Sequence, residues 1–300
     1  MDLFPALLAI IISGFAGGIF SFGYKAIVQL KQRTGPFIFL YGLTYTIFAA
    51  VGILLIGGVS ADPIVWLFGV SHGVIMCMAI LFYIRIIGKI RLSISWTIIQ
   101  FSIFIPLVTS LLFFEKHLSP LSVSGTVLML VAIIIFSFGK KEHSSKPEGP
   151  PISLASWLLL FLSSLFSGMA LTIPMVYMKA ATASQPLYLI FASGVGTLLC
   201  SLLFIRKEDW KYMKGDWKVV GVPSTMSLLQ IMSWAFLMVG LLDLDGAVAY
   251  SLKGFIGLLC VYTVSFSFFR ETVTRIEKIG ILVSLGAILL MTVSLYTVAL

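Results

Sequence analysis

Charged residues are scarce in this sequence. Asp, Glu, Lys and Arg make up 11% of its 300 residues, whereas 59% are hydrophobic and the mean hydropathy is +1.09. Soluble domains typically contain about 25% charged residues, which keep their surfaces in water. The composition therefore excludes an ordinary soluble protein and predicts a chain that lies in a lipid bilayer.

Several residue patterns that carry chemistry are also missing. There is no asparagine, and the three cysteines, Cys77, Cys200 and Cys260, all lie in apolar runs. We therefore expect no N-linked glycan, no disulfide framework and no metal site. The sequence lacks a glycine-rich phosphate loop with Lys and Ser or Thr, and we expect no cofactor.

Long apolar runs fill most of the sequence. They are about 19 to 28 residues long, which suits the ~20 residues that a helix needs to cross a bilayer better than the ~10 of a barrel strand. We predict an all-α integral membrane protein with about ten transmembrane helices. The predicted spans are Leu3–Leu30, Phe37–Ile56, Ile64–Ile87, Leu92–Phe114, Leu118–Phe138, Leu154–Met178, Leu187–Ile205, Val219–Leu242, Gly246–Phe269 and Ile276–Val298.

The sequence divides near its middle into two similar halves. Gly14 and Gly18 match Ser164 and Gly168 at an offset of 150 residues, and matches near the fifth and tenth spans have an offset of 155. Because five is an odd number, consecutive repeats would enter the membrane in opposite senses, which predicts two inverted five-helix repeats. The predicted units are a first repeat over 1–139, a polar linker over 140–152 and a second repeat over 153–300.

Basic residues are concentrated in alternate loops. Most Lys and Arg residues lie in the odd-numbered loops, whereas the other side has little beyond Lys116 and Lys179. By the positive-inside rule the odd loops are cytoplasmic, so both termini are expected outside the cytoplasm. The net charge of +8 thus reflects topology, and we expect no nucleic-acid partner.

Lys253 is the clearest candidate for a substrate-binding residue. It lies about ten residues into the ninth span, where a charge near the bilayer midplane costs about 2.5 to 3.5 kcal/mol on insertion scales. We predict that it contacts an anionic or carbonyl-bearing substrate, with Tyr250 and Ser251 beside it. The alternative is a structural lysine held by hydroxyls and carbonyls between packed helices.

Four further polar residues in the spans are candidates for the same site. His72 could titrate or donate to a ligand, and Gln100 and Gln230 could orient one. His72 could instead be a satisfied core histidine, and Gln100, Gln230 and Tyr250 could instead form hydrogen bonds between packed helices. Lys25 lies nearer the end of its span, from which it could also reach lipid phosphate groups.

Two patterns restrict the function further. The acidic residues all fall in loops or at helix ends, whereas an exporter that exchanges protons for lipophilic cations usually needs a carboxylate near the midplane. A neutral or anionic substrate is therefore expected. The stretch from Gly69 to Gly73 fits G-x-S-x-G, but Ser71 and His72 are neighbours on a helix and cannot act as a pair, so we predict that the protein is not an enzyme.

The order of these features resembles the drug/metabolite transporter superfamily, in particular its ten-helix EamA-like branch, over the whole chain. The first span carries Gly18 followed by Lys25, and Glu271 precedes a glycine-bearing last span, as in that branch. Lys253 is similar to the ninth-helix lysine of the sugar-phosphate and nucleotide-sugar branches, which engages phosphate groups there. Many members have both termini in the cytoplasm, opposite to the charge count here, and we keep the charge count.

These observations predict a transporter of a small neutral or anionic metabolite that works by alternating access. The two halves would enclose a central cavity lined by the first, third, fourth, sixth, eighth and ninth spans. The expected location is a bacterial or archaeal cell membrane, and the expected partners are the substrate and the lipid bilayer, with a homodimer left open. The alternatives are a flippase subunit for a lipid-linked sugar and a membrane scaffold that transports nothing.

Overall fold

Almost all of the chain that the computed structural model describes is helical, and none of the described residues forms a strand. The described residues are 4–56, 62–90, 92–113, scattered positions between 120 and 135, 153–180, 185–213, 217–244, 246–268 and 275–298. The α-helices of the continuously described residues are α1 Phe4–Gln29, α2 Thr34–Ile56, α3 Pro63–Ile87, α4 Leu92–Ile99, α5 Phe104–Phe113, α6 Leu154–Ala180, α7 Pro186–Ser201, α8 Lys207–Tyr212, α9 Trp217–Asp243, α10 Gly246–Ser267 and α11 Arg275–Val298.

Within the described residues, six helical segments are long and apolar enough to cross a membrane. Five of them are α1, α2, α3, α6 and α9. The sixth consists of α7 and the short 3-10 turn that follows α7. Shorter apolar segments lie at Ser95–Pro106, Leu252–Ser267 and Lys278–Ala287. These lengths are compatible with an integral membrane protein that crosses the bilayer several times. The predicted fifth span lies largely, and the 140–152 linker wholly, outside the described residues.

Local sequence explains where some helices begin and break. α3 begins at Pro63, and Asp62 Oδ1 caps it by accepting a hydrogen bond of 3.0 Å from the backbone N–H two residues on. The fourth predicted span is interrupted by the 3-10 helix Gln100–Ile103 between α4 and α5. Pro106 has no N–H to donate to the Ser102 carbonyl, so one α-helical hydrogen bond is missing at this break.

Helices from the two halves of the sequence interleave. α1 packs along α9 and α10, α3 packs along α6 and α7, and α2 packs against α7 and α9. Small residues allow these close contacts: a Cβ atom added to Gly14 would lie 3.0 Å from the Lys253 carbonyl oxygen, and one added to Gly18 would lie 3.1 Å from the Gly257 carbonyl oxygen. Both glycines therefore serve helix packing.

Buried hydroxyl groups connect the packed helices. Ser13 Oγ on α1 donates to the Ser233 carbonyl on α9 at 2.6 Å, and Ser233 Oγ donates back to the Ser13 carbonyl at 3.0 Å. Between α6 and α3, Ser163 Oγ donates to the Ala79 carbonyl at 2.9 Å. Such bonds hold helices in register in lipid, where packing receives little help from the hydrophobic effect.

Candidate functional site

A cavity of about 110 Å³ lies between helices from both halves of the chain. It is bounded by α1, α3, α4 with the 3-10 turn after it, α6, α9 and α10, and these correspond to the six spans that we expected to surround a cavity. Its lining residues are Gly17, Phe20, Tyr24, Met76, Ala79, Ile80, Tyr83, Trp96, Ile99, Gln100, Ser102, Ser163, Ser167, Leu171, Gln230, Ser233, Trp234 and Lys253.

Lys253 is the one charged side chain among the described residues that line this cavity. Its Nζ lies 4.7 Å from the centre of the Trp234 ring, a distance at which an ammonium is attracted to an indole face. Within the described ranges, no carboxylate pairs with it and no acceptor forms a hydrogen bond with it. Lys253 is the eighth residue of α10, so it lies about 10 Å from the start of that helix and about 21 Å from its end.

The Trp234 ring connects Lys253 to a buried histidine. The His72 and Trp234 ring centroids are 4.7 Å apart with an interplanar angle of 89°, an edge-to-face contact. His72 Nδ1 lies 2.6 Å from Ser193 Oγ on α7. The His72 Nε2 and Trp234 Nε1 atoms are buried and have no hydrogen-bond partner in the described part of the chain. His72 does not itself line the cavity, so it contacts the site through the indole.

Two glutamines face the cavity from opposite halves of the chain. Gln100 lies in the 3-10 helix after α4, and Gln230, which is buried, lies on α9. Neither side-chain amide has a hydrogen-bond partner among the residues that the structure describes. Because an amide carries both donors and an acceptor, each can orient a polar group of a ligand.

Aromatic side chains form one wall of the cavity. The Tyr24 and Tyr83 rings meet edge to face with centroids 4.7 Å apart, and the Trp96 ring lies 6.1 Å from Tyr83 and 6.4 Å from Tyr24. The Tyr83 hydroxyl is 2.9 Å from Ser95 Oγ. The wall offers an aromatic, largely apolar surface against which a ring or an alkyl part of a ligand can pack.

A second cavity of about 60 Å³ adjoins the first and shares Lys253, Gln100 and Trp96 with it. Tyr250 lines this second cavity. Its hydroxyl donates a hydrogen bond of 2.6 Å to the Leu171 carbonyl on α6, so the polar end of Tyr250 is engaged in helix packing. The ring of Tyr250, and not its hydroxyl, is therefore the part that a ligand would meet.

The remaining predicted site residues lie elsewhere. Lys25 is on α1 but lines neither cavity. Ser251 belongs to α10, and its side chain lies outside the described ones. Among the described residues, no group of three or more His, Cys, Asp or Glu could hold a metal ion. The structure thus brings Lys253, Gln100 and Gln230 together around one cavity.

Sequence reasoning misses the aromatic residues of the site. Trp96 and Trp234 lie in apolar helices, where tryptophan is equally typical of a buried core or a lipid-facing surface. A usable signal was present, because Trp96 lies four residues before Gln100 and Trp234 lies four residues after Gln230. Helical neighbours at this spacing share a face, so each tryptophan accompanies a glutamine that the sequence does single out.

Comparison with known proteins supports the fold. No family model matches this chain, and no curated protein matches it. One solved structure, described only as the crystal structure of a protein, aligns over 97% of this chain and 98% of its own chain, with a TM-score of 0.59 and 16% sequence identity. The two chains align over nearly their whole lengths, so this arrangement of helices also occurs in a solved structure. At this identity the likeness shows the fold alone.

Proposed function

We propose that this chain is a membrane transporter that binds a small anionic or carbonyl-bearing metabolite in the central cavity. The observation that carries the proposal is the Lys253 ammonium, which faces a cavity bounded by both halves and has no carboxylate partner among the described residues. A partly buried ammonium without a counter-ion favours a ligand that supplies the missing negative or acceptor group. Gln100 and Gln230 would orient neutral polar groups of the same ligand.

The proposal includes ten spans arranged as two inverted five-helix repeats, and helix contacts support this arrangement. Gly14 on α1 approaches the Lys253 carbonyl on α10. Ser164, which lies 150 residues after Gly14, donates a hydrogen bond of 3.2 Å to the carbonyl of Ile98, which lies 155 residues before Lys253. These are the two offsets that relate the halves in the sequence. The same offsets recur one helical turn along, where Gly18 approaches the Gly257 carbonyl and Gly168 approaches the Ser102 carbonyl.

Transport would follow from rocking of the two repeats about the cavity. Such a motion would expose Lys253 alternately to the two sides of the membrane, as in other transporters built from inverted repeats. On the sequence resemblance given above, we extend the proposal to membership of the EamA-like branch of the drug/metabolite transporters. The protein would then move its substrate unchanged and need no cofactor.

The first test is a thermal-shift screen of the detergent-purified protein against pools of metabolites. A ligand at 100 times its Kd stabilises the native state by about 2.7 kcal/mol, which a melting curve can detect. Each compound that stabilises the protein is then tested for uptake or exchange in proteoliposomes. The two variants compared with wild type are Lys253→Gln and Lys89→Gln, because Lys89 is exposed at the end of α3 and lines neither cavity.

We expect phosphorylated or carboxylated compounds to stabilise the wild type and Lys89→Gln but not Lys253→Gln, and to be transported only by the first two. Unchanged uptake by Lys253→Gln would contradict the assignment of the site. Stabilisation without any transport would favour the scaffold alternative. Stabilisation by lipid-linked sugars alone would favour the flippase alternative.

A further inference from the structure

A polar cleft, separate from the two cavities around Lys253, lies at the end of the molecule that carries the basic loops. Its volume is about 540 Å³, and it lies between the α1–α2 connection, the end of α3 and the segment that joins α7 to α8. It shares no lining residue with the central cavity. The lining residues that matter here are Arg33, Arg85, Leu203, Arg206, Glu208 and Asp209.

The three arginines of the cleft differ in their partners. Arg33 Nη1 donates to Oδ1 of the buried Asp209 at 3.1 Å, and its guanidinium lies 5.4 Å from the centre of the Tyr212 ring. Asp209 Oδ2 accepts the backbone N–H of Arg206 at 2.9 Å, so both carboxylate oxygens are engaged within the fold. The side chains of Arg85 and Arg206 have no acidic partner among the described residues. Two guanidinium groups are therefore available to an external anion.

An apolar surface leads away from these arginines. Leu203, at the edge of the cleft, is 80% exposed, and Leu199, one helical turn earlier, is 54% exposed. Trp210 on α8 is half-exposed, and its ring lies 5.4 Å from that of Phe39. Exposed tryptophan beside charged residues is typical of the membrane–water interface. A cationic cleft and an apolar path thus adjoin each other at this end of the molecule, an arrangement that suits the depth of the lipid head groups.

We propose that this cleft binds the phosphate group of an anionic glycerophospholipid. Arg85 and Arg206 would contact the phosphate, and an acyl chain would lie along Leu199 and Leu203. A guanidinium matches phosphate oxygens with two parallel hydrogen bonds, which a lysine ammonium cannot do. The positive-inside rule puts this end of the molecule at the cytoplasmic leaflet, where anionic lipids are enriched. The bound lipid would join α3 of the first half to α7 of the second.

Glu208 makes a sharp test of this site possible. It lines the cleft, is exposed and has no ion pair within the described ranges, so its negative charge opposes an anionic ligand. Glu208→Gln should therefore tighten lipid binding, whereas the double variant Arg85→Gln/Arg206→Gln should weaken it. The matched control is Lys89→Gln/Lys211→Gln, which removes two exposed charges from the same end but none from the cleft lining.

The experiment is native mass spectrometry of the full chain with phosphatidylglycerol or phosphatidylcholine of identical acyl chains. We expect the wild type and the lysine control to retain phosphatidylglycerol in preference to phosphatidylcholine. The double arginine variant should bind phosphatidylglycerol about tenfold more weakly, which corresponds to about 1.4 kcal/mol. Inorganic phosphate and glycerol phosphate serve as soluble competitors, and they should not displace the lipid at millimolar concentration.

Three outcomes would overturn the proposal. Equal retention of the two lipids would remove the requirement for an anionic head group. Displacement of phosphatidylglycerol by inorganic phosphate would assign the cleft to a soluble anion. If the double arginine variant does not fold, the Glu208→Gln variant decides the question, and unchanged phosphatidylglycerol retention in that variant would count against the site.

Discussion

The Lys253 ammonium lies 4.7 Å from the centre of the Trp234 ring, and the His72 ring contacts the same indole with its centroid 4.7 Å away. The indole thus separates the charged group of the cavity from a buried histidine. Since the ammonium has no carboxylate partner in the described ranges, the indole face is its principal stabilising contact. An anionic ligand would compete for the ammonium, so ligand binding should alter the surroundings of Trp234.

The first prediction concerns the contact between Lys253 and Trp234. Trp234→Leu should destabilise the ligand-free protein, and part of the loss, about 0.5–2 kcal/mol, should depend on the charge of Lys253. In a Lys253→Met background, Trp234→Leu should lower the stability by less, because the charged group that contacts the indole is then absent. A double-mutant cycle on stability in detergent measures this coupling. Equal costs of Trp234→Leu in the two backgrounds would show that the contact contributes nothing.

The second prediction concerns close helix packing at Gly14. A Cβ atom there would lie 2.7 Å from Ile256 Cβ and 3.0 Å from the Lys253 carbonyl oxygen, so Gly14→Ala should cost about 1–3 kcal/mol through overpacking. The matched control is Gly286→Ala on α11, where, apart from its two chain neighbours and the helix's own backbone within four residues, no described atom lies within 4 Å of the added Cβ. Thermal unfolding should show a lower midpoint for Gly14→Ala and little change for Gly286→Ala. Similar midpoints for both variants would contradict the contact between α1 and α10.

The third prediction concerns the reciprocal hydrogen bonds of Ser13 and Ser233. Ser13→Ala and Ser233→Ala each remove one donated bond, at 2.6 Å and 3.0 Å respectively. Interhelical bonds of this kind contribute about 0.6 kcal/mol on average in membrane proteins. The two hydroxyls lie 3.4 Å apart, so the effects should be non-additive in the double variant. Unfolding in mixed detergent measures the three stabilities, and strict additivity would indicate that the two bonds act independently.

The fourth prediction concerns Asp209 at the start of α8. Its carboxylate accepts bonds from the Arg33 side chain and the Arg206 backbone, so Asp209→Ala removes a helix cap and an ion pair together. Because Arg33 is about half exposed and solvent weakens the pair, we expect a loss of about 1 kcal/mol. Hydrogen exchange of the α8 amides should accelerate. Glu208→Gln, which removes a neighbouring carboxylate without an ion pair in the described part, is the control and should leave the exchange unchanged.

The fifth prediction concerns orientation in the membrane. Lys89 and Lys211 are exposed at the end of the molecule that carries the basic loops. Asp243 is exposed at the other end, because it is the last residue of α9 and the first residues of α9 follow a basic loop. Single cysteines at these positions, in a cysteine-free background, should react differently with a membrane-impermeant maleimide added to intact cells. We expect labelling of Asp243→Cys but not of Lys89→Cys or Lys211→Cys. The reverse pattern would place both termini in the cytoplasm.

Much of the helical layout could be predicted because it depends on local properties. In lipid, a backbone segment must satisfy its own hydrogen bonds, so the length of an apolar run is enough to predict a helix. The nine predicted segments other than the fifth are helical, with ends that differ from the prediction by a few residues. The break at Gln100–Ile103 is harder to predict, because Pro106 is compatible with either a kink or a 3-10 turn.

The composition of the site could be predicted only in part. Lys253, Gln100 and Gln230 could be named because a polar group inside an apolar helix is unfavourable wherever that helix packs. The same argument selects Lys25, which lines neither cavity. Trp96 and Trp234 carry no comparable penalty, and only their spacing of four residues from Gln100 and Gln230 connects them to the site in the sequence.

The amino-acid sequence by itself determined that this chain is helical, apolar enough for a bilayer and charged chiefly outside its apolar runs, because each of these follows from composition and from spacing along one segment. Only the tertiary structure decided which side chains face one another. The approach of Gly14 to α10 and the exchange of hydrogen bonds between Ser13 and Ser233 set the rotation and depth of helices that are far apart in the sequence. Those long-range contacts bring Lys253 to Trp234.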